Sequence, residues 1–344
     1  MKDGILVLNK PQNWTSSDCV AVCRRVLGCK GIKKVGHGGT LDPMATGVLP
    51  VFVGQATRIM EYMDLDYKTY VCAARLGINT DTLDIWGRVL QQESWQQIRE
   101  DKGITSEEIR RCLGEFEGHI KQMPPKYSAV RIDGKRLYEY AHEGREMDQE
   151  TLAKIKPRDV FIRRISVIDV DIETGQFAFE VECSKGTYIR TICADLGKRL
   201  GCGCTMTGLE RTAIGNISID QAVVSAEQVK EMDGEELERL LLPGDYPLVH
   251  FGKVTMPQDR ADYFSRGNSI WWNQLKVVSE PDGDELLETG RAACNGRMPK
   301  NARGRDYDCI YKVYQENTGE FLGTGFYDRS QGLLKADKVF VAQR

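Results

Sequence analysis

Short, unbroken apolar runs alternate along the chain with segments of helical period. Ile5–Leu8 and Val48–Val53 are runs of strand length bounded by turn residues, and they predict buried strands. Between them Val20, Cys23 and Leu27 recur at i, i+3 and i+7 behind the polar stretch Thr15–Asp18, which offers N-cap chemistry; the pattern predicts a helix with Arg24 and Arg25 on its exposed side. Ala56–Met63 reads as a short helix, Tyr67–Gly77 as a strand and Asn79–Asp84 as a polar turn. Thr105–Glu117 is amphipathic, with Ile109, Cys112 and Leu113 on one face. Val160–Ile172 and Phe177–Cys183 alternate as strands, joined through Glu173-Thr174-Gly175. Ser184–Thr187 opens a helix whose Ile189, Ile192, Cys193, Leu196 and Leu200 form a core stripe, with Tyr188 and Arg190 off that stripe in the first turn. Ala226–Leu242 holds one or two short helices, and Pro243–Pro247 reads as a linker. Beyond it the segments are short, with turn signals at Asp282-Gly283, Thr318-Gly319 and Gln331-Gly332.

Composition narrows this picture. At 344 residues the chain has room for two domains, and 41% hydrophobic with 28% charged residues is ordinary for a globular protein. No window approaches the roughly 20 apolar residues of a membrane span, and the first apolar run is too short for a signal-peptide core. A cytoplasmic protein with no membrane association is expected. The eleven cysteines include no Cys-x-x-Cys pair, so they read as reduced structural thiols, with no metal site expected. The net charge of −3 advertises no polyanion partner. Its distribution differs: Arg24, Arg25, Lys30, Lys33 and Lys34 form one acid-free basic run, and Arg291, Arg297, Lys300, Arg303 and Arg305 another. Such local positive faces suit a polyanion held at defined places, and equally a solvated surface.

The candidate chemistry centres on Gly36-His37-Gly38-Gly39-Thr40-Leu41-Asp42-Pro43-Met44-Ala45-Thr46-Gly47. Glycine permits tight turns and close backbone approach, and Pro43 pushes Asp42 toward an extended or turn conformation. The stretch reads either as an ordinary Asp-Pro turn or as a loop presenting one carboxylate. Asp81 and Asp84 invite a metal reading, but with no third ligand in view loop capping fits better. Arg190, in a helix first turn, is poorly placed for the helix dipole; it reads either as an ordinary exposed surface residue or as the partner of a carboxylate elsewhere in the fold. From Gln122 to Ala141, Lys126, Tyr127, Arg131, Lys135, Arg136 and Tyr138 lie around the hairpin signal Asp133-Gly134; these aromatic and basic residues suit a stack-and-phosphate surface, and equally an amphipathic hairpin and helix packed on the core.

Several of these segments, in order along the chain, resemble the TruB family of tRNA pseudouridine synthases: Leu8-Asn9-Lys10-Pro11 with Thr15-Ser16, the whole Gly36–Gly47 stretch, Lys68-Thr69-Tyr70 through Thr80-Asp81-Thr82 to Asp84 and Gly87, Pro124-Pro125-Lys126-Tyr127-Ser128-Ala129, Cys183–Thr191, and Thr207–Thr212. The resemblance implies an α+β pseudouridine synthase fold, a central mixed and largely antiparallel sheet flanked by helices, over residues 1–248. An RNA-clasping insertion falls at about 122–152. A small PUA-like β-barrel, a weaker resemblance resting on Phe321–Gly325 and Gly332–Phe340, occupies 249–344. It implies isomerisation of uridine 55 in the tRNA T-loop, with Asp42, Tyr70 and Arg190 catalytic, and Arg190 within salt-bridge distance of Asp42. Substrate contacts are implied for His37, Tyr188, Leu209, Lys10, Lys68 and Asp84. Neither cofactor nor metal is implied, since the reaction gains and loses no atom. The implied partner is the T-arm of tRNA, with no DNA and no obligate protein partner, the chain acting as a stand-alone bacterial-type monomer. Asn13 departs from the family where Gly often stands, and His37-Gly38-Gly39-Thr40 where many members have His-Thr-Gly. Other classes remain open: a non-catalytic tRNA-binding or folding factor on the same scaffold, and a metal-dependent hydrolase using Asp81 and Asp84.

Overall fold

The structure is a computed structural model and describes residues 3–28, 35–64, 66–128, 130–142, 154–286, 288 and 298–340. In chain order it begins β1 (Gly4–Lys10), α1 (Ser16–Val26), β2 (Val35–His37), β3 (Thr46–Val53) and a 3-10 helix over Gly54–Asp64. Next come β4 (Lys68–Leu76), β5 (Ile78–Thr80), β6 (Val89–Gln92), α2 (Trp95–Lys102), α3 (Ser106–Gly114), β7 (Gly118–Gln122), β8 (Arg131–Ile132), β9 (Lys135–Arg136), α4 (Leu137–His142), β10 (Arg158–Asp171), β11 (Gln176–Cys183), α5 (Ile189–Leu200) and β12 (Cys204–Ile214). The remainder is β13 (Ile217–Ser218), β14 (Val224–Ser225), α6 (Ala226–Val229), α7 (Gly234–Arg239), β15 (Gly252–Met256), α8 (Gln258–Ser265), β16 (Ile270–Trp271), β17 (Lys276–Ser279), β18 (Ile310–Gln315), β19 (Phe321–Asp328) and β20 (Leu333–Val339).

Two compact units result. The first comprises residues 1–43, 47–66 and 213–344; the second, 44–46 and 67–212. In the first, β1 pairs antiparallel with β3 from Gly4↔Val53 to Lys10↔Gly47, and parallel with β14. Strand β3 is buried along nearly its whole length, which accounts for its unbroken apolar run. A reciprocal Thr15–Asp18 capping box starts α1, and those hydrogen bonds hold the Asp18 carboxyl below the usual range. The helix buries Cys19, Val20, Val22 and Cys23 against Leu6, Leu8, Leu49 and Val51.

Six strands in the order β16-β20-β19-β18-β15-β17 form a separate sheet in this unit, with Val254, Phe264, Tyr311, Val313 and Leu334 in its core. Several contacts tie it to the 3-10 helix, among them the Lys338–Glu61 pair and a buried carboxylate, Asp337. Asp337 accepts from Tyr62 Oη at 2.7 Å, Asn301 Nδ2 at 3.1 Å, and Arg303 and Arg305 Nη1 at 3.3 Å each. Its side chain is wholly buried.

The second unit carries the order β12-β4-β11-β10-β7. Strands β4, β11, β10 and β7 pair antiparallel, with Tyr70 opposite Val181. Helix α5 packs so closely on the start of β12 that a Cβ on Gly197 would lie 2.3 Å from the Cys204 amide nitrogen. Cys72 and Cys193 meet there at 3.7 Å as thiols. All nine described cysteines are unbridged, and all but Cys309 are buried.

The α+β class and most elements agree with the sequence reading, and the differences have local causes. Gly36 and His37 lie in β2, paired with Phe52 and Val51 of β3, rather than in the loop. Residues 78–80 form β5 against β6, which confines the polar turn to 81–87. The Ala56–Met63 helix is a 3-10 run. Helix α5 starts at Ile189 behind Tyr188, because Gly186 takes φ +81° and breaks the helical path. Asp282-Gly283 opens a helical turn, with Asp282 accepting from the Glu285 amide. The basic residues Lys30, Lys33, Lys34, Arg291 and Arg297, Ala129 and residues 143–153 of the insertion lie outside the described residues, as do the side chains of Arg136 and Tyr138.

Asp337→Ala leaves two guanidinium groups without their carboxylate and removes four acceptor contacts. An unfolding free energy lower by about 3 kcal/mol is expected, against about 1 kcal/mol for Tyr62→Phe, both read from urea denaturation.

Candidate active site

Residues 41–43 form a turn tied on both sides to residues 10–16. Lys10 is fully buried, and its Nζ donates to the carbonyls of Pro11 (2.9 Å), Trp14 (2.7 Å) and Pro43 (3.3 Å). An ammonium has three donors and no acceptor, so a cluster of carbonyl oxygens is what it needs when removed from water. The Asn13 amide also donates to the Pro43 carbonyl at 2.9 Å. Asn13 has φ +68°, a left-handed conformation that Asn tolerates better than most residues, which explains how it stands where glycine was expected.

On the other side of Asp42, Ser16 Oγ donates to the Leu41 carbonyl at 3.2 Å and accepts from the Leu41 amide at 2.9 Å. Both neighbours of Asp42 are thus fixed through side chains or backbone of the β1–α1 region. Asp42 itself is half-buried. The glycines divide into two kinds. Gly39 and Gly47 take φ of +105° and +99°. Gly38 is needed for room: a Cβ there would lie 2.8 Å from the Phe52 ring, so its missing side chain admits the core rather than a ligand.

In the second unit the organising group is Arg190. Its Nη1 donates to the Thr82 carbonyl at 3.0 Å and lies 3.7 Å from Asp84 Oδ2, and its Nη2 donates to the Tyr127 carbonyl at 3.1 Å. The side chains of Arg190 and Asp84 are 6% and 11% exposed, which makes this an internal ion pair with little water to screen it. Arg190 lies off the apolar stripe of its helix, a position that by period alone would face water. Instead α5 is buried nearly all round, and the guanidinium joins the 81–87 turn to the Pro-Pro-Lys-Tyr-Ser segment.

That turn is over-determined. Thr82 Oγ1 donates to Asp84 Oδ1 at 2.9 Å, the Trp86 amide donates to the same oxygen at 3.1 Å, and the Arg88 amide donates to Asp81 Oδ1 at 2.9 Å. Leu83 is held at φ +66° between them. Both aspartates therefore act as caps within the turn. Among the described residues no group of three or more His, Cys, Asp or Glu side chains is arranged to hold a metal ion.

The remaining expected residues are distributed as follows. His37, half-buried, lies opposite Val51. Tyr70 is buried in β4, Lys68 begins that strand, and Leu209 is half-buried in β12. Tyr188 precedes α5; its amide donates to Gln122 Oε1 at 2.9 Å, and its carbonyl accepts from Gln122 Nε2 at 3.2 Å. Lys10, expected at the substrate, directs its donors into the loop backbone. The expected Arg190–Asp42 pair joins residues of different units and stands as an expectation. Sequence reasoning missed Gln122 and the second role of Ser16. One signal was available for the glutamine, a lone amide at the end of an alternating strand; none was available for Ser16, which sat inside a cap motif that Thr15 already fills.

Two family models match the chain: TruB family pseudouridylate synthase (N terminal domain) over residues 24–189, and tRNA pseudouridylate synthase B C-terminal domain over 190–249. Among curated relatives, the tRNA pseudouridine synthase B of Clostridium tetani is 36% identical over 323 residues, 94% of this chain and 95% of that protein. The protein of the same name from Alkaliphilus oremlandii is 42% identical over 287 residues, 83% of this chain and 88% of that one. Among solved structures, a chain of an H/ACA RNP bound to a substrate RNA containing 2′-deoxyuridine aligns with TM-score 0.65 at 20% identity, covering 98% of this chain and 85% of that chain. A chain of a Cbf5-Nop10-Gar1 complex aligns with TM-score 0.65 at 22% identity over the same shares. At such identities the likeness is one of fold.

Lys10→Met strips three carbonyl oxygens of a charged donor inside the fold. A loss of roughly 2–3 kcal/mol in unfolding free energy is expected; a urea midpoint equal to that of the wild type would contradict the clamp.

Proposed function

The chain belongs to the TruB family of pseudouridylate synthases, and from that membership we propose that it isomerises the uridine at position 55 in the T-loop of tRNA to pseudouridine, with Asp42 as the catalytic carboxylate acting on a flipped-out nucleotide. The observation that carries the assignment to Asp42 is the clamp: a half-buried carboxylate whose two neighbours are fixed by Lys10, Asn13 and Ser16. A group held this way spends little freedom on reaching its reacting geometry.

The reaction breaks the C1′–N1 glycosidic bond, turns the uracil and closes a C1′–C5 bond; the C5 proton leaves and N1 regains one. Nothing is oxidised and no group is transferred to water, so the residues need to supply orientation, charge and proton handling. Asp42 supplies the anionic group beside the sugar or base. Tyr70 offers an aromatic face for a base removed from its stack. Arg190 supplies the positive charge that favours ionisation of the catalytic carboxylate when RNA excludes water. The Asp84 contact and the two carbonyls fix the guanidinium for that task. Tyr188 and Leu209 line the base, and His37 meets the RNA. Lys10 acts indirectly, through the loop.

Residues 249–344, proposed as a PUA-like auxiliary domain, would extend the RNA surface beyond the catalytic domain of residues 1–248. Cytoplasmic action as a monomer on free tRNA follows from the same reading. Among the described residues no helix is long and apolar enough to cross a membrane.

Asp42→Asn should lower pseudouridine formation in a T-arm stem-loop transcript by about two to four orders of magnitude, while binding of that RNA survives within a few-fold. Turnover near the wild-type rate would overturn the assignment. If the intact wild type leaves the uridine unmodified, the reaction itself is wrong and a non-catalytic RNA-binding role takes its place.

A further inference from the structure

Among the described residues Arg211 is one of the largest fully buried side chains, at 0% exposure, and none of the roles above uses it. It lies in β12, the neighbour of β4 in the sheet, and it hydrogen-bonds Tyr70. The adjacent residues are tied as well: Thr212 Oγ1 donates to the Thr69 carbonyl at 3.4 Å. Tyr70 is itself 8% exposed, so the pair sits almost entirely out of water.

The chemistry of this pair is directional. A guanidinium carries five N–H donors and no acceptor, so in an Arg–Tyr hydrogen bond the phenol oxygen must accept. With an Oη lone pair given to Arg211, the ring is held in its plane, and its own O–H has to turn away from Arg211. A buried cation is also an expensive way to fill space. Removal from water pushes the Arg211 guanidinium down from its usual value, and the hydrogen bond with Tyr70 works the other way. An apolar side chain of the same volume would pack without that penalty.

We propose that Arg211 is a positioning residue for Tyr70: its guanidinium fixes the tyrosine ring and commits the phenol oxygen as an acceptor, so that the ring face and the O–H are presented to the nucleotide in one orientation. The inference rests on the role given to Tyr70 in the proposed reaction. Arg211 touches no substrate in this scheme and acts only through the hydroxyl it holds.

A double-mutant cycle tests it. Pseudouridine formation on the T-arm stem-loop is measured under single turnover for the wild type, Arg211→Lys, Tyr70→Phe and the double variant, with RNA affinity and urea stability recorded for each. Lysine keeps the charge and loses the planar fork. Arg211→Lys is expected to slow the reaction by up to about 100-fold with RNA affinity unchanged within twofold. In the Tyr70→Phe background, where no hydroxyl remains to be held, the same substitution should change the rate by less than twofold. Multiplicative losses in the double variant, or a wild-type rate for Arg211→Lys, would overturn the inference and leave the reaction assignment intact. A wild-type rate for Tyr70→Phe would overturn the role of the tyrosine hydroxyl, and this inference with it. If Arg211→Lys does not fold, Arg211→Met enters the cycle instead. If neither folds, Arg211 belongs to the fold rather than to the site, and the proposal fails.

Discussion

A charge taken out of water has to be met by charges or dipoles inside the protein, and three parts of this chain are built around that requirement. Lys10 is met by three carbonyls, one of them Pro43. Arg190 is met by two carbonyls and Asp84. Asp337 is met by a phenol, an amide and two guanidinium groups. Each joins segments far apart in sequence. Because leaving such a group unpaired costs several kcal/mol, each also makes its segments stand or fall together.

This is why loops that look free in sequence are constrained in space. Asp42 follows a glycine-rich stretch, yet Leu41 and Pro43 are tied to residues 10–16. The 81–87 turn has the composition of a mobile connector, yet it holds a non-glycine residue in a left-handed conformation. Strain of that kind persists only where the surroundings over-determine it, and here Thr82, Asp84 and Arg190 do so. Such rigidity settles the orientation of a loop's groups before any partner arrives.

The glycines of the first loop illustrate how a local argument can name the right residues and the wrong reason. Their spacing marks the loop correctly. Gly36 nevertheless belongs to a strand, and Gly38 makes room for the Phe52 ring rather than for a partner. Only Gly39 and Gly47 use the left-handed freedom that the composition suggests. Similarly, Arg190 was read from helical period as lying outside the core stripe. Period reports which residues share a face; it does not report how many faces a neighbour covers, and α5 is covered on nearly all of them.

What the sequence determined by itself was local or motif-borne. Periodicity placed β1, α1, β3, β4, β10, β11 and α5 within a few residues, because alternation and 3.6-residue spacing are properties of adjacent positions. The ordered motifs pointed to the family, and with it to Asp42, Tyr70 and Arg190. The tertiary structure alone decided which polar groups meet: Ser16 with Leu41, Gln122 with Tyr188, Arg190 with Asp84, Arg211 with Tyr70. These pairs join residues tens to more than a hundred positions apart. No local pattern encodes them, since a buried donor is satisfied by whichever acceptor the packed chain brings within reach.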